Sequence, residues 1–217
     1  MAVTAQNVLD RVRSQLVDTG ASPRWTDNEL LRWISDGQRT IVSAVPRASS
    51  YTANMTTVAG ARQTLPADAF QLIRCGRNMG AAGTTPGRTI MPITREHMDI
   101  QFPTWPSDTG ENDAKVFMYD LSEPEAFYIY PPSTGSRYIE ILYSKLPAEL
   151  SATTDVLTVK DIYLPPLFDY VMYRAHMKDS DYAAGMSLAE AYLKSFTAFL
   201  ASLQKDEQTN ATTAGKK

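Results

Sequence analysis

The side chains best suited to covalent or metal chemistry in this 217-residue chain are two histidines, one cysteine and a scatter of carboxylates. Glu96-His97 is the one adjacent acid–imidazole pair, and His176 completes the imidazoles. A two-histidine metal site would need both to converge from different elements, and the His-Glu-x-x-His spacing is absent. His97 follows Thr94, which can cap a short helix, and it reads as a solvated helix residue. Cys75 sits in an apolar run and reads as a small buried hydrophobe; a lone cysteine excludes an internal disulfide framework. Gly80 to Arg88, GAAGTTPGR, has the glycine density of a phosphate cradle but lacks the Gly-Lys-Ser/Thr ending. Because it lies between two strand-like runs, a β-hairpin loop is the reading. Asp161, Asp169, Asp179 and Asp181 offer carboxylates, but an acidic chain supplies such pairs by chance. The expectation is no catalytic residue, no cofactor and no metal.

Phe127, Tyr128, Tyr130 and Tyr138 cluster beside Pro131-Pro132. Aromatics among basic residues could stack bases or sugars. Here Glu123, Glu125 and Glu140 dominate instead, and aromatics are common in strands, so core packing is the leading reading and a protein-contact surface the second. A net charge of −3 and a pI near 5.4 speak against wrapping nucleic acid on a basic face. No run reaches the roughly 18 apolar residues of a membrane span, and the first residues lack a signal peptide's apolar stretch. With the single cysteine, this predicts synthesis in a reducing cytoplasm.

The elements that must position these groups are helical at both ends. Thr4 to about Asp18 forms a first helix with Val8, Leu9, Val12 and Leu16 on one face, and Gly20 is the expected terminator. In RWTDNELLRWISDGQRTIVSAVP, Thr26 and Glu29 have capping-box spacing, and Trp25 can staple onto Leu30. Leu30, Ile34, Ile41 and Val45 recur at helical spacing opposite Arg32, Asp36 and Arg39, and Pro46 ends the helix. Gly37 costs about 1 kcal/mol of helix propensity relative to alanine, which suggests a close helix neighbour. From Ser49 short apolar runs predict strands at 51–58, 72–79, 89–93, 115–119, 126–130 and 138–143, with Ser133–Ser136 as a hairpin connection between the last two. Helical periodicity returns at Leu164, with Pro165 and Pro166 in the first turn. A break is placed at Gly185, with Ser187 and Glu190 as a second capping box and Asp179-Ser180 as the alternative. Ala189, Leu193, Phe196, Leu200 and Leu203 make a helix-packing seam.

The expectation is an α+β fold. Helices at 1–47 and 161–204 form a four-helix bundle, 48–160 is an inserted antiparallel β domain, and 205–217 is an extended polar C-terminal tail that cannot bury a core. Trp25, Thr26, Glu29, Gly37, Leu193, Phe196 and Leu200 are the structural positions on which this rests.

The chain resembles the head-to-tail adaptor proteins of tailed bacteriophages, the group related to tail tubular protein A of short-tailed phages. The resemblance rests on Arg24–Leu31 with Asp36–Arg39, on Gln63-Thr64-Leu65-Pro66 with Asp68, and on Phe127-Tyr128-Ile129-Tyr130-Pro131-Pro132. It continues through Ile141–Ser144 with Pro147, Asp161-Ile162-Tyr163, Asp169–Ala175, Lys178-Asp179 and Tyr182-Ala183. It implies a structural virion protein of the head–tail junction, forming a ring, commonly dodecameric, under the portal. Such a ring extends the DNA channel used in ejection without sequence-specific binding and carries a downstream nozzle, tube or stopper protein. The wider adaptor class docks through C-terminal segments, which singles out Lys205, Glu207, Thr209, Thr213, Lys216 and Lys217 for portal contact. A ligand- or glycan-binding β module and a peptidoglycan hydrolase of the virion stay open as other classes; one needs a concave aromatic site, the other two converging carboxylates.

Overall fold

The computed structural model describes residues 3–178 and 183–214, which divide into two compact units. The first takes Met1–Ser49 and Leu146–Lys217, the second Ser50–Lys145. The fold is mixed α+β, as the sequence pattern predicts.

In the first unit, α1 (Ala5–Leu16) buries Ala5, Val8, Leu9 and Val12. It does not run to a glycine stop. The left-handed cap falls on Val17, φ 54° and 85% exposed, because Asp18 is needed immediately afterwards. The Asp18 carboxylate accepts the backbone N–H groups of Arg24 (2.8 Å) and Trp25 (3.3 Å) and pairs with Arg13 (3.1 Å). Arg13 also donates to the Trp25 carbonyl at 3.0 Å and pairs with Asp27 at 2.5 Å. One carboxylate and one guanidinium thus set the entry into α2 (Asp27–Ala44).

Thr26 caps α2 by accepting the Glu29 N–H at 3.3 Å. Glu29 does not reciprocate as a full capping box would. Its carboxylate instead meets Lys178 at 2.6 Å, on α4 (Leu164–Lys178). At Gly37 the backbone of α2 packs directly against side chains of α4. A Cβ there would lie 2.6 Å from Leu167 Cδ1 and 2.9 Å from the Tyr170 ring. Helix α4 also contacts α1 and α5 (Ala183–Ala214). Tyr170 meets Phe196 with ring centroids 5.2 Å apart, and Phe168 meets Tyr192 edge-on at 6.3 Å.

Three expectations for this region are corrected. Gly185 lies inside α5, so Ser187 and Glu190 are interior positions; the alternative break at Asp179-Ser180 lies outside the described residues. Leu193 sits at the rim, 36% exposed, while Ala189, Phe196 and Leu200 are buried, because the face toward α4 is centred on Ala189 and Phe196. Residues 205–214 are helical instead of extended: they continue α5, and a helix already nucleated gains one backbone hydrogen bond for each residue added.

Residues 146–160, expected in the β insert, belong with the helices. The Leu150 N–H donates to Ser35 Oγ at 3.0 Å, and the Thr158 and Val159 N–H groups donate to Gln38 Oε1 at 2.7 and 3.3 Å. Both Ser35 and Gln38 are buried on α2. Their polar side chains hold a loop that is otherwise fastened to the start of the chain, where Thr4 and Val156 form an isolated antiparallel bridge.

The second unit holds two sheets. One is ordered β1 (Ser50–Thr56), β7 (Tyr138–Lys145), β3 (Ala69–Asn78), all antiparallel. The other is ordered β2 (Gly60–Thr64), β6 (Ala126–Ser133), β5 (Val116–Met118), β4 (Met91–Pro92). It is not wholly antiparallel, since β4 pairs parallel to β5. The 133–136 turn is not a hairpin connection: β6 and β7 lie in different sheets, and Gly135 at φ 88° carries the chain from one to the other. Phe127, Ile129, Ile139, Ile141 and Tyr143 fill the core together with Leu72 and Cys75. Asn78, 2% exposed, ties it together. Its side chain donates to the carbonyls of Arg88 (3.0 Å) and Ala114 (2.8 Å) and accepts the Ala114 N–H (2.9 Å).

Gly37 gives a sharp test. Helix propensity alone predicts that Gly37→Ala stabilises by about 1 kcal/mol. Overpacking against buried Leu167 and half-buried Tyr170 costs about 1–3 kcal/mol, so we expect no gain and a net loss of up to about 2 kcal/mol in urea unfolding. A gain would show that the two helices are not in obligatory contact.

Candidate assembly surfaces

The groups with chemical potential fall on different elements. Helix α3 (Arg95–Gln101) is capped by Thr94, whose hydroxyl accepts the His97 N–H at 3.4 Å. Glu96 and His97 are both exposed on it. His176 belongs to the other unit and stacks on Tyr192, centroids 5.7 Å apart at 8°. Among the described residues no group of three His, Cys, Asp or Glu side chains could hold a metal. Cys75 is 1% exposed, and burial, with Glu140 adding to it, pushes its thiol up to about 12. The glycine-rich 80–88 segment does turn back on β3: Arg77 bridges Thr89, and the Asn78 N–H donates to the Arg88 carbonyl at 2.9 Å.

The aromatic cluster splits in two. Phe127 points inward and is fully buried. Tyr128 stands on the outer side, edge-on to Trp105 at 5.9 Å, with the Arg95 guanidinium 4.7 Å above its ring. Its hydroxyl donates to Glu123 at 3.3 Å, and Glu123 also pairs with Arg62 at 2.7 Å. The hydrogen bond from Arg62 holds the Glu123 carboxyl below the usual carboxylate range. Tyr128, Arg95 and Glu123 border an open cavity of about 410 Å³ that is also lined by Tyr119, Asp120 and Leu121. Phe102, half exposed, stacks on Tyr130 at 6.1 Å.

The helical unit offers apolar surface instead. Met186, Leu188 and Leu193 stand exposed on α5, with Met177 on α4. Between 186 and 205 the exposed face of α5 carries only Glu190, Lys194 and Lys205 as charges, among Ser, Ala and Thr. A trough of about 570 Å³ between α1 and α4 is lined by Asp10, Arg11, Ser14, Gln15, Pro165, Phe168 and Asp169. Sequence periodicity finds the buried stripes of these helices. It misses Tyr192 as an α4 contact and Leu188 as exposed, because both fall just outside a strict seam. Lys205 is exposed. Glu207, Thr209 and Thr213 share the backbone helix of α5, while Lys216 and Lys217 lie outside the described residues.

A family model for the SU10 adaptor protein matches residues 3–216. The chain belongs to the SU10 adaptor protein family. No curated protein matches it. Membership makes the chain a bacteriophage virion component, a structural adaptor, in agreement with the resemblance carried by its motifs. Adaptors of this kind contact portal and tail proteins and self-assemble. Among the described residues no helix is long and apolar enough to cross a membrane.

The inertness of Cys75 can be measured. A thiol near pKa 12 is protonated at pH 8, and only the thiolate reacts. Alkylation of the native protein at pH 8 should be slower than that of the urea-unfolded chain by a hundredfold or more, that is ~10² or above. Equal rates would return Cys75 to the catalytic candidates.

Proposed function

We propose that the protein is a non-enzymatic head-to-tail adaptor that forms a homo-oligomeric ring, commonly of twelve copies, beneath the portal. The observation that carries this reading is the match to the adaptor family over nearly the whole chain. The apolar, weakly charged outer face of α5 supports it, since an adaptor must bury surface against copies of itself. The helices α1, α2, α4 and α5 act as a four-helix bundle, bundles pack side by side around the axis, and the contacts are heterologous and close by rotation. Leu188, Leu193 and Met186 are the side chains such contacts would cover. The ring continues the DNA channel and carries a nozzle, tube or stopper protein, and the chain is made in the host cytoplasm and acts in the virion. Residues 1–49 and 146–204 supply the helical unit and 50–145 the insert, and the segment after Gln204 docks on the portal.

Two measurements test this. Light scattering and electron microscopy of the protein with and without portal should show rings in at least one condition; a monomer in both contradicts the proposal. Truncation after Gln204 should leave the fold intact and reduce co-sedimentation with portal rings, whereas undiminished binding would remove the C-terminal segment as the anchor. The alternatives predict otherwise: a hydrolase would release peptidoglycan fragments, and a glycan-binding module would be stabilised thermally by its sugar.

A further inference from the structure

Charge is segregated along this chain. Residues 37–95 contain seven arginines and a single acid, Asp68, while 96–125 contain eight acids and a single lysine. In the β unit the fold cancels part of this. Arg62 pairs with Glu123, Arg95 with Asp99, Lys115 with Glu111 and Lys145 with Asp68, and Arg137 donates to Asn112. The guanidinium groups of Arg74, Arg77 and Arg88 make no hydrogen bond or ion pair with any described residue, and all three are exposed. They are also close in the fold. Arg74 and Arg77 line one open cavity of about 260 Å³ with Thr89, Met91 and Pro92, and Arg88 lies on the returning strand that bridges Arg77 through Thr89. The segment that joins the arms of this ribbon, Met79 to Gly87, has no acid and only small side chains besides Met79 and Pro86. A broad, flat ligand could therefore approach.

We infer that Arg74, Arg77 and Arg88 form a contact strip for the phosphodiester backbone of nucleic acid. Guanidinium is weakly hydrated and presents a planar fork that matches phosphate oxygens, and the neighbouring threonine hydroxyls can add sequence-independent hydrogen bonds. No element here reads base edges, so the contact carries no sequence preference. The Glu140 carboxylate lies in the same cavity, packed over Gly76, and lowers the net charge of the strip. The contact is consequently weak and salt-sensitive, which lets a polymer slide instead of being held. The strip goes beyond the adaptor reading and rests on it only for naming that polymer as the viral genome; its test uses the isolated full-length protein, so ring failure and strip failure are separable.

The experiment is fluorescence anisotropy with a labelled 30-base-pair duplex at 50 and 200 mM salt. Three phosphate contacts give a slope of log K against log salt of about −2.7, or a loss of about 40-fold across that range. R74Q/R77Q/R88Q should abolish that binding with unchanged thermal melting, and E140Q should tighten it about two- to fivefold at 50 mM. The control R11Q/R32Q, which removes two unpaired arginines of the helical unit, should leave the slope unchanged. Three results would overturn the proposal: no binding by the wild type at 50 mM salt, an equal loss in the control, or a triple variant that alters self-association while retaining DNA affinity. The last would assign the strip to an acidic surface of a neighbouring copy.

Discussion

The contact of Gly37 with Leu167 and Tyr170 is the constraint on which the helical unit depends. It joins a residue from the first fifth of the chain to one from the last quarter, with the whole β unit lying between them in sequence. A glycine in mid-helix sacrifices propensity, and the return is backbone-close packing that any side chain would obstruct. Around it Lys178 meets Glu29 and Tyr170 meets Phe196, so α2, α4 and α5 are fixed by one locus. Ser35 and Gln38, on either side of Gly37, then hold the 146–160 segment. A single turn of α2 organises both the helix contact and the loop that leads back into α4.

The β unit works by a different device. Its strands are short, and the backbone between them is held by a few buried polar side chains. Asn78 bridges three segments. Gln63 folds its amide onto Val58 and Gly60, and the Thr57 and Ser133 hydroxyls meet at 2.7 Å. Each is a fully used hydrogen-bonding group in a dry setting, where a missing partner would cost more than the bond itself contributes. What remains on the surface is charge, aromatic edges and a few apolar side chains.

Much of this was legible in sequence, for physical reasons that can be named. Helices α1 and α2 and the start of α4 show in the 3.6-residue period and in capping or first-turn residues, and β7 shows in alternation. The end of α1 was not legible, because the left-handed position carries valine and the glycine three residues later is only a loop residue. Strand β2 was missed since GARQT has almost no β-branched or aromatic content; its place is set by pairing with β6. Capping-box spacing at Thr26 and Glu29 correctly marked a helix start, but the partner of Glu29 was a lysine 149 residues away, which no local pattern can reveal. The exposed face of α5 had a signal in its shortage of charge, while its rim was blurred by Leu193, which fits the seam pattern without being buried.

We propose that this protein functions by covering apolar helix surface with copies of itself and its neighbours. The most direct measurement is the oligomeric state, by light scattering in the presence of portal, of a double variant carrying Leu188→Asp and Leu193→Asp. Both side chains are substantially exposed in the isolated chain, 48% and 36%, so monomer stability should change by no more than about 1 kcal/mol. The expected result is a folded protein that no longer forms rings. Rings formed as readily as by the wild type would contradict it.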